Sequence, residues 1–176
     1  MELEILHMIQ GMRTDWLDGV MVFVTKLGDK GILWIALSIV LAILPKTRRC
    51  GLTMMVTMLL SHVVGNEILK PLIARARPFT ADAGVTLLIP QLASYSFPSG
   101  HTMNGFTAAF TVCAYYKKPG IMALVMAGLI AFSRMYLFVH YPTDILGGIV
   151  LAFINTCVVQ FAARKLIEWY GMRRKT

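Results

Sequence analysis

The chain is predicted to fold as an all-α polytopic transmembrane helix bundle, with about five spanning helices and an N-terminal interfacial segment. Three observations carry this. Apolar residues make up 57% of the 176 residues and charged residues only 15%, against about 45–50% and about 25% in soluble domains. The mean hydropathy is +0.66. The apolar residues come in blocks, and the ionisable ones gather where blocks end. The length suits a single domain, 1–176. Because the basic residues behind the +8 net charge sit at block ends, no nucleic-acid partner is expected. Cys50, Cys113 and Cys157 lack paired or metal-ligand spacing and read as small hydrophobes. No basic stretch precedes an apolar core at the start, so no cleaved signal peptide is expected.

Residues 1–28 alternate apolar and charged positions in runs too short to span, so they are expected to lie as interfacial helices, with Trp16 at headgroup level. Thr14 followed by Asp15 and Asp18 marks a helix start. The first spanning block, 31–44, ends at Pro45 and Lys46-Thr47-Arg48-Arg49. Its roughly 14 residues reach about 21 Å, short of a hydrocarbon core of about 30 Å, so flanking residues or a thinner bilayer must make up the difference. The second block runs over about 50–70 and is followed by a polar stretch, 71–97, long for an idle connector. The remaining blocks cover about 99–116, 120–139 and 142–163, with Lys117-Lys118-Pro119-Gly120 expected as a tight turn.

With five spans, Lys46, Arg48, Arg49, Lys117, Lys118, Arg164, Lys165, Arg173, Arg174 and Lys175 fall on one side. The positive-inside rule makes that side, and the C-terminus, cytoplasmic. The opposite, extracytoplasmic side of the plasma membrane receives the N-terminal segment, most acids and every polar cluster.

Those clusters are Lys70…Arg77-Pro78, Pro98-Ser99-Gly100-His101 and Ser133-Arg134…His140…Asp144. Ionisable groups at such depths are costly, which makes a use for them the default reading. Lys70 and Arg77 are seven apart, close to two turns on one helix face. Pro71 suits the first position of a new short helix, which Pro78 would end. Taken alone, the pair also fits a helix end anchored to lipid phosphates. Ser99, Gly100 and His101 open an apolar helix, and a helix N-terminus offers free N–H groups to an anion. An ordinary N-cap would look the same. Asp144, four residues past His140, can fix its tautomer and leave the other ring nitrogen as a nucleophile, while Arg134 can clamp phosphate oxygens through its planar fork. A His–Asp pair stitching a turn is the structural alternative. Elsewhere, His62, Asn66 and Glu67 of the second block read as hydrogen-bonding groups between helices, with an ion pair from Glu67 to Lys70, three residues on, as the alternative. Arg75 reads as a lipid-surface or supporting contact and Asp82 as solvated.

The spacings Lys70-x6-Arg77-Pro78, Pro98-Ser99-Gly100-His101 and Ser133-Arg134-x5-His140-x3-Asp144 resemble the three signatures of the type 2 phosphatidic acid phosphatase (PAP2) superfamily, in order, over residues 70–144. The resemblance implies a lipid-phosphate phosphatase of the small bacterial type that works without a cofactor or metal. In it His140 would attack phosphorus and form a phosphohistidine, Asp144 would orient that imidazole, and His101 would move the proton. Lys70, Arg77, Ser99, Gly100 and Arg134 would bind the phosphate.

The implied partners are membrane lipids and a lipid phosphate. Undecaprenyl pyrophosphate leads, and phosphatidylglycerol phosphate and phosphatidic acid are the alternatives. A non-enzymatic anion-binding membrane protein could use the same cations without needing a nucleophile at position 140. The related vanadate haloperoxidases are soluble, which the apolar blocks oppose.

Overall fold

The computed structural model describes residues 1–82 and 84–173. Among them all regular structure is helical. Helix α1 (Glu2–Gln10) and helix α2 (Asp15–Leu27) precede a 3₁₀ turn, Asp29–Gly31. Thr14 caps α2 by accepting a hydrogen bond from Leu17 N, with Asp15 and Asp18 in the first turn, as the sequence predicts. Helix α3 (Ile32–Ile43) and helix α4 (Arg48–His62) form a hairpin, and α4 runs on through a π-helical stretch, Val63–Leu69, into α5 (Lys70–Ile73). After the short α6 (Pro78–Ala81) an irregular segment leads to α7 (Gly100–Tyr115), α8 (Lys117–Tyr136) and α9 (Pro142–Arg173).

Helix α7 is the central element and packs on α8, α9 and α4. Its buried face is Thr102, Gly105, Thr107, Ala108, Ala109 and Thr111, small residues that let helices approach closely without a hydrophobic drive between them. The buried hydroxyls are paired. Ser61 and Thr107 lie 3.0 Å apart, and Asn155 donates to Ser61 at 3.1 Å, joining α4, α7 and α9. Large apolar side chains such as Ile39, Leu59, Val125 and Phe153 face outward instead. A largely hydrogen-bonded polar interior under an apolar exterior suits a lipid solvent. Among the described residues three stretches are long and apolar enough to cross a membrane: Arg48–Ala81, interrupted at residues 74–77, Lys117–Tyr136 and Pro142–Trp169. The chain is therefore a membrane protein. The other two expected spans correspond to α3, with 12 residues, and α7, with 16.

Local details differ from expectation at several points. No new helix starts at Pro71, because the π-helical stretch keeps the chain helical until Ala74 turns left-handed at φ 47°. Pro78 opens a helix rather than ending one. The Lys117-Lys118-Pro119-Gly120 turn is absorbed into the first turn of α8, leaving Tyr116 as the only non-helical residue between α7 and α8. Its hydroxyl donates to Lys46 O at 3.0 Å, which ties the two basic links together at one end of the bundle.

Candidate active site

At the other end of the bundle a cleft of about 340 Å³ is lined by Lys70, Arg77, Gly100, His101, Arg134 and His140, six of the eight residues singled out from the sequence. The remaining two, Ser99 and Asp144, are fully buried and do not line it. Ser99 Oγ accepts from Thr102 Oγ1 at 3.0 Å, and Ser99 N donates to Asp144 O at 3.1 Å. Ser99 thus ties the start of α7 to the start of α9.

His140 sits in the turn between α8 and α9, 2% exposed. Asp144, at the third position of α9, reaches back to accept from Tyr141 N at 2.8 Å, the geometry of a capping box. The same Oδ2 accepts from Ser96 Oγ and lies 3.4 Å from His140 Nδ1. The other ring nitrogen, Nε2, lies 3.2 Å from Arg77 Nη1. Burial is the largest influence on this imidazole and pushes its pKa down to about 3, against the opposing pull of Asp144. The ring is therefore neutral near pH 7, as a nucleophile requires.

Arg77 uses its whole fork. It donates to Ser94 O, Ser94 Oγ, Tyr95 O and Val139 O between 2.7 and 3.1 Å. These bonds fasten the 82–99 segment to the turn that carries His140. Phe97 of that segment lies against Gly147 of α9, where any Cβ would collide with the ring. Lys70 Nζ donates to Asn66 Oδ1 at 3.2 Å. Glu67 pairs not with Lys70 but with His62, 3.3 Å from its Nε2, because the π-helical register rotates it away from Lys70.

Arg134 is 1% exposed. Its Nη1 donates to Thr25 Oγ1 of α2, and its Nε has no partner among the described residues. A buried guanidinium with a free N–H beside a cleft is prepared for an anion. His101 Nε2 lies 3.0 Å from Asp29 Oδ1, and its ring passes over Gly28, where a Cβ would strike it.

Sequence reasoning missed Thr25, Asp29, Ser94 and Ser96, whose only sequence signal is polarity beside apolar runs. It left Arg75 between a lipid-surface and a supporting contact, and took Asp82 as solvated. Arg75 contacts Asp144 rather than the lipid surface, with Nη1 on Oδ1 at 2.7 Å. Asp82 is not simply solvated, since it pairs with His7 at 3.0 Å.

The profile of the PAP2 superfamily matches residues 51–166. An undecaprenyl-diphosphatase from Sulfolobus acidocaldarius is 34% identical over 146 residues, 82% of this chain and 70% of that protein. The undecaprenyl-diphosphatase BcrC of Bacillus subtilis is 32% identical over 160 residues, 88% and 80% of the two chains. The solved structure of a transmembrane PAP2-type phosphatidylglycerolphosphate phosphatase from Bacillus subtilis superposes with a TM-score of 0.75 at 30% identity, covering 93% of this chain and 85% of that one.

Proposed function

Because the chain belongs to the PAP2 superfamily, we propose that it is a lipid-phosphate phosphatase and that its preferred substrate is a polyprenyl diphosphate such as undecaprenyl diphosphate. The observation that carries this is the convergence of Lys70, Arg77, Arg134, His101 and His140 on one cleft, with Asp144 behind the nucleophile. Asp144 accepts a hydrogen bond from Nδ1–H and stays ionised, leaving the Nε2 lone pair of His140 to attack phosphorus as the bond to the leaving oxygen breaks. Lys70, Arg77 and Arg134 hold the equatorial oxygens as charge shifts. Arg77 exchanges its contacts to His140 and Ser94 for phosphate. His101, with Asp29 supporting its charged form, gives a proton to the leaving oxygen and then takes one from the water that cleaves the phosphohistidine. No step calls for a metal, so EDTA leaves the rate unchanged and vanadate competes with substrate.

Two features favour an amphiphilic diphosphate. An apolar groove between α3 and α4, lined by Ile35, Met55, Met58 and Leu59, shares Lys30, His62 and Asn104 with the cleft, so a tail there keeps its headgroup at His140. Lys30 adds a further cation at the junction, more positive charge than a monoester calls for. The bundle would cross the membrane five times, counting α3 and α7, with the basic end cytoplasmic and the cleft outward. Phosphatidylglycerophosphate is the second reading, favoured by the structural neighbour.

The test is phosphate release by the purified protein in detergent from undecaprenyl diphosphate, phosphatidylglycerophosphate and phosphatidic acid. His140→Ala abolishes release while the protein still reaches the membrane. Retained turnover in that variant would sink the mechanism and leave a binding protein.

A further inference from the structure

Asp144 is a fully buried carboxylate, and such a charge persists only where its partners are well placed. Its Oδ2 serves His140, Tyr141 N and Ser96. Its Oδ1 is held by Arg75 Nη1 at 2.7 Å. Arg75 belongs to none of the signature positions, yet it is the one cation in ion-pair contact with this carboxylate among the described residues.

Arg75 is held by several partners, with 27% of its side chain left exposed. The left-handed turn at Ala74 ends α5, and in the extended chain beyond it Arg75 faces Asp144 and Arg77 faces His140. Arg75 O accepts from Ser96 N at 2.8 Å, while Ser96 Oγ donates to Asp144 Oδ2. Arg75 and Ser96 therefore grip one carboxylate by its two oxygens. The guanidinium also lies over the Tyr141 ring, 4.0 Å from the centroid. Its Nη1 donates to Thr143 Oγ1 and its Nη2 to Glu2 Oε2, each at 2.6 Å. Glu2, on α1, accepts from Thr143 N and Thr143 Oγ1 through its other oxygen. Burial opposes ionisation of Glu2, but bonds from Thr143 and Arg75 outweigh it and hold its pKa below the ordinary carboxylate value.

We infer that Arg75 is a positioning residue for Asp144, and that Glu2 of the N-terminal helix holds Arg75 in that role. The inference rests on the reading of His140 as nucleophile and Asp144 as its orienting partner. With Oδ1 pinned, the carboxylate plane is fixed and Oδ2 stays turned toward His140 Nδ1. Without Arg75 the carboxylate keeps its neutral donors but loses its charged anchor, and the imidazole samples unproductive rotations. The cost falls on the chemical step, because Arg75 does not line the phosphate cleft. It makes α1 part of the catalytic apparatus, although α1 lies outside the matched family region.

The test uses the full-length protein in detergent with undecaprenyl diphosphate, comparing wild type, Arg75→Ala, Arg75→Lys, Glu2→Ala, the Glu2→Ala/Arg75→Ala double variant and His140→Ala. Arg75→Ala is expected to lower kcat about 30-fold or more with KM within twofold. Arg75→Lys recovers part of the loss by restoring a cation. Glu2→Ala lowers kcat several-fold in the wild-type background and has no further effect in Arg75→Ala, since residues acting through one contact are not additive. If Arg75→Ala cannot be purified folded, Glu2→Ala leaves Arg75 and Asp144 in place and decides alone. A loss carried by KM, no gain from Arg75→Lys, or wild-type kcat in Arg75→Ala or Glu2→Ala while His140→Ala is dead overturns the positioning role. Wild-type turnover in His140→Ala overturns the nucleophile assignment, and the positioning role with it.

Discussion

Asp29 and His101 meet at 3.0 Å across 72 residues of sequence, joining the turn after α2 to the first turn of α7. As a carboxylate, Asp29 can only accept, so the Nε2 proton of His101 points at it. The pair makes the 3₁₀ turn a supporting part of the site. Asp29→Asn keeps the shape but removes the charge that favours an imidazolium, and kcat should fall about tenfold, part of the roughly 10²–10⁴-fold that general acid–base catalysis supplies. Steady-state phosphate release checks this, and an unchanged kcat would free His101 from dependence on Asp29.

Gly28 precedes that turn at φ −88°, a conformation open to any residue. Its requirement is steric, since a Cβ would enter both the His101 ring and Ile130. Gly28→Ala is expected to displace His101 and to cost about 1–3 kcal/mol of stability through overpacking. Thermal melting in detergent and kcat should fall together, whereas Gly19→Ala, with open space around it, should leave both unchanged.

Thr25 supports Arg134 from the last turn of α2. Thr25→Val removes the acceptor and leaves a second buried donor set unpaired, at a cost of about 1–3 kcal/mol. Thr25→Ser keeps the acceptor and should melt close to wild type. Equal melting temperatures for the Val and Ser variants would refute the support role.

His140 supplies a pH signature. Its folded pKa of about 3 lies below the ordinary imidazole value of 6.5, burial being the main cause. Between those values the unfolded chain binds a proton that the folded one does not, so stability falls as pH drops below about 6.5. His140→Asn should flatten that part of a melting-temperature profile between pH 4.5 and 7. Parallel profiles for the two proteins would contradict the neutral buried imidazole.

Much of the site was legible because its signals are local. Lys70, Arg77, Gly100, His101, Arg134 and His140 stand out as ions or turn residues against apolar runs, and all six line the cleft. Ser99 and Asp144 were equally visible, but the sequence could not say that both would lie behind the wall. Arg75 stayed open between a lipid-surface and a supporting contact, because an arginine near a span end also fits anchoring to lipid phosphates. Its neighbours Glu2 and Asp144 lie 73 and 69 residues away. The alternative of a Glu67–Lys70 pair rested on a spacing that holds for an α-helix but not through a π-helical stretch.

By itself the sequence determined the membrane class, the helical blocks and the chemical inventory of the cleft, because hydropathy and motif spacing are properties of neighbouring residues. The supporting partners were decided only by the tertiary structure: Thr25 under Arg134, Asp29 on His101, and Arg75 with Glu2 behind Asp144. Those pairs depend on how α1, α2 and the 82–99 segment pack on α8 and α9. The hydrogen bonds that satisfy a buried charge are chosen by that packing, and no local pattern encodes it.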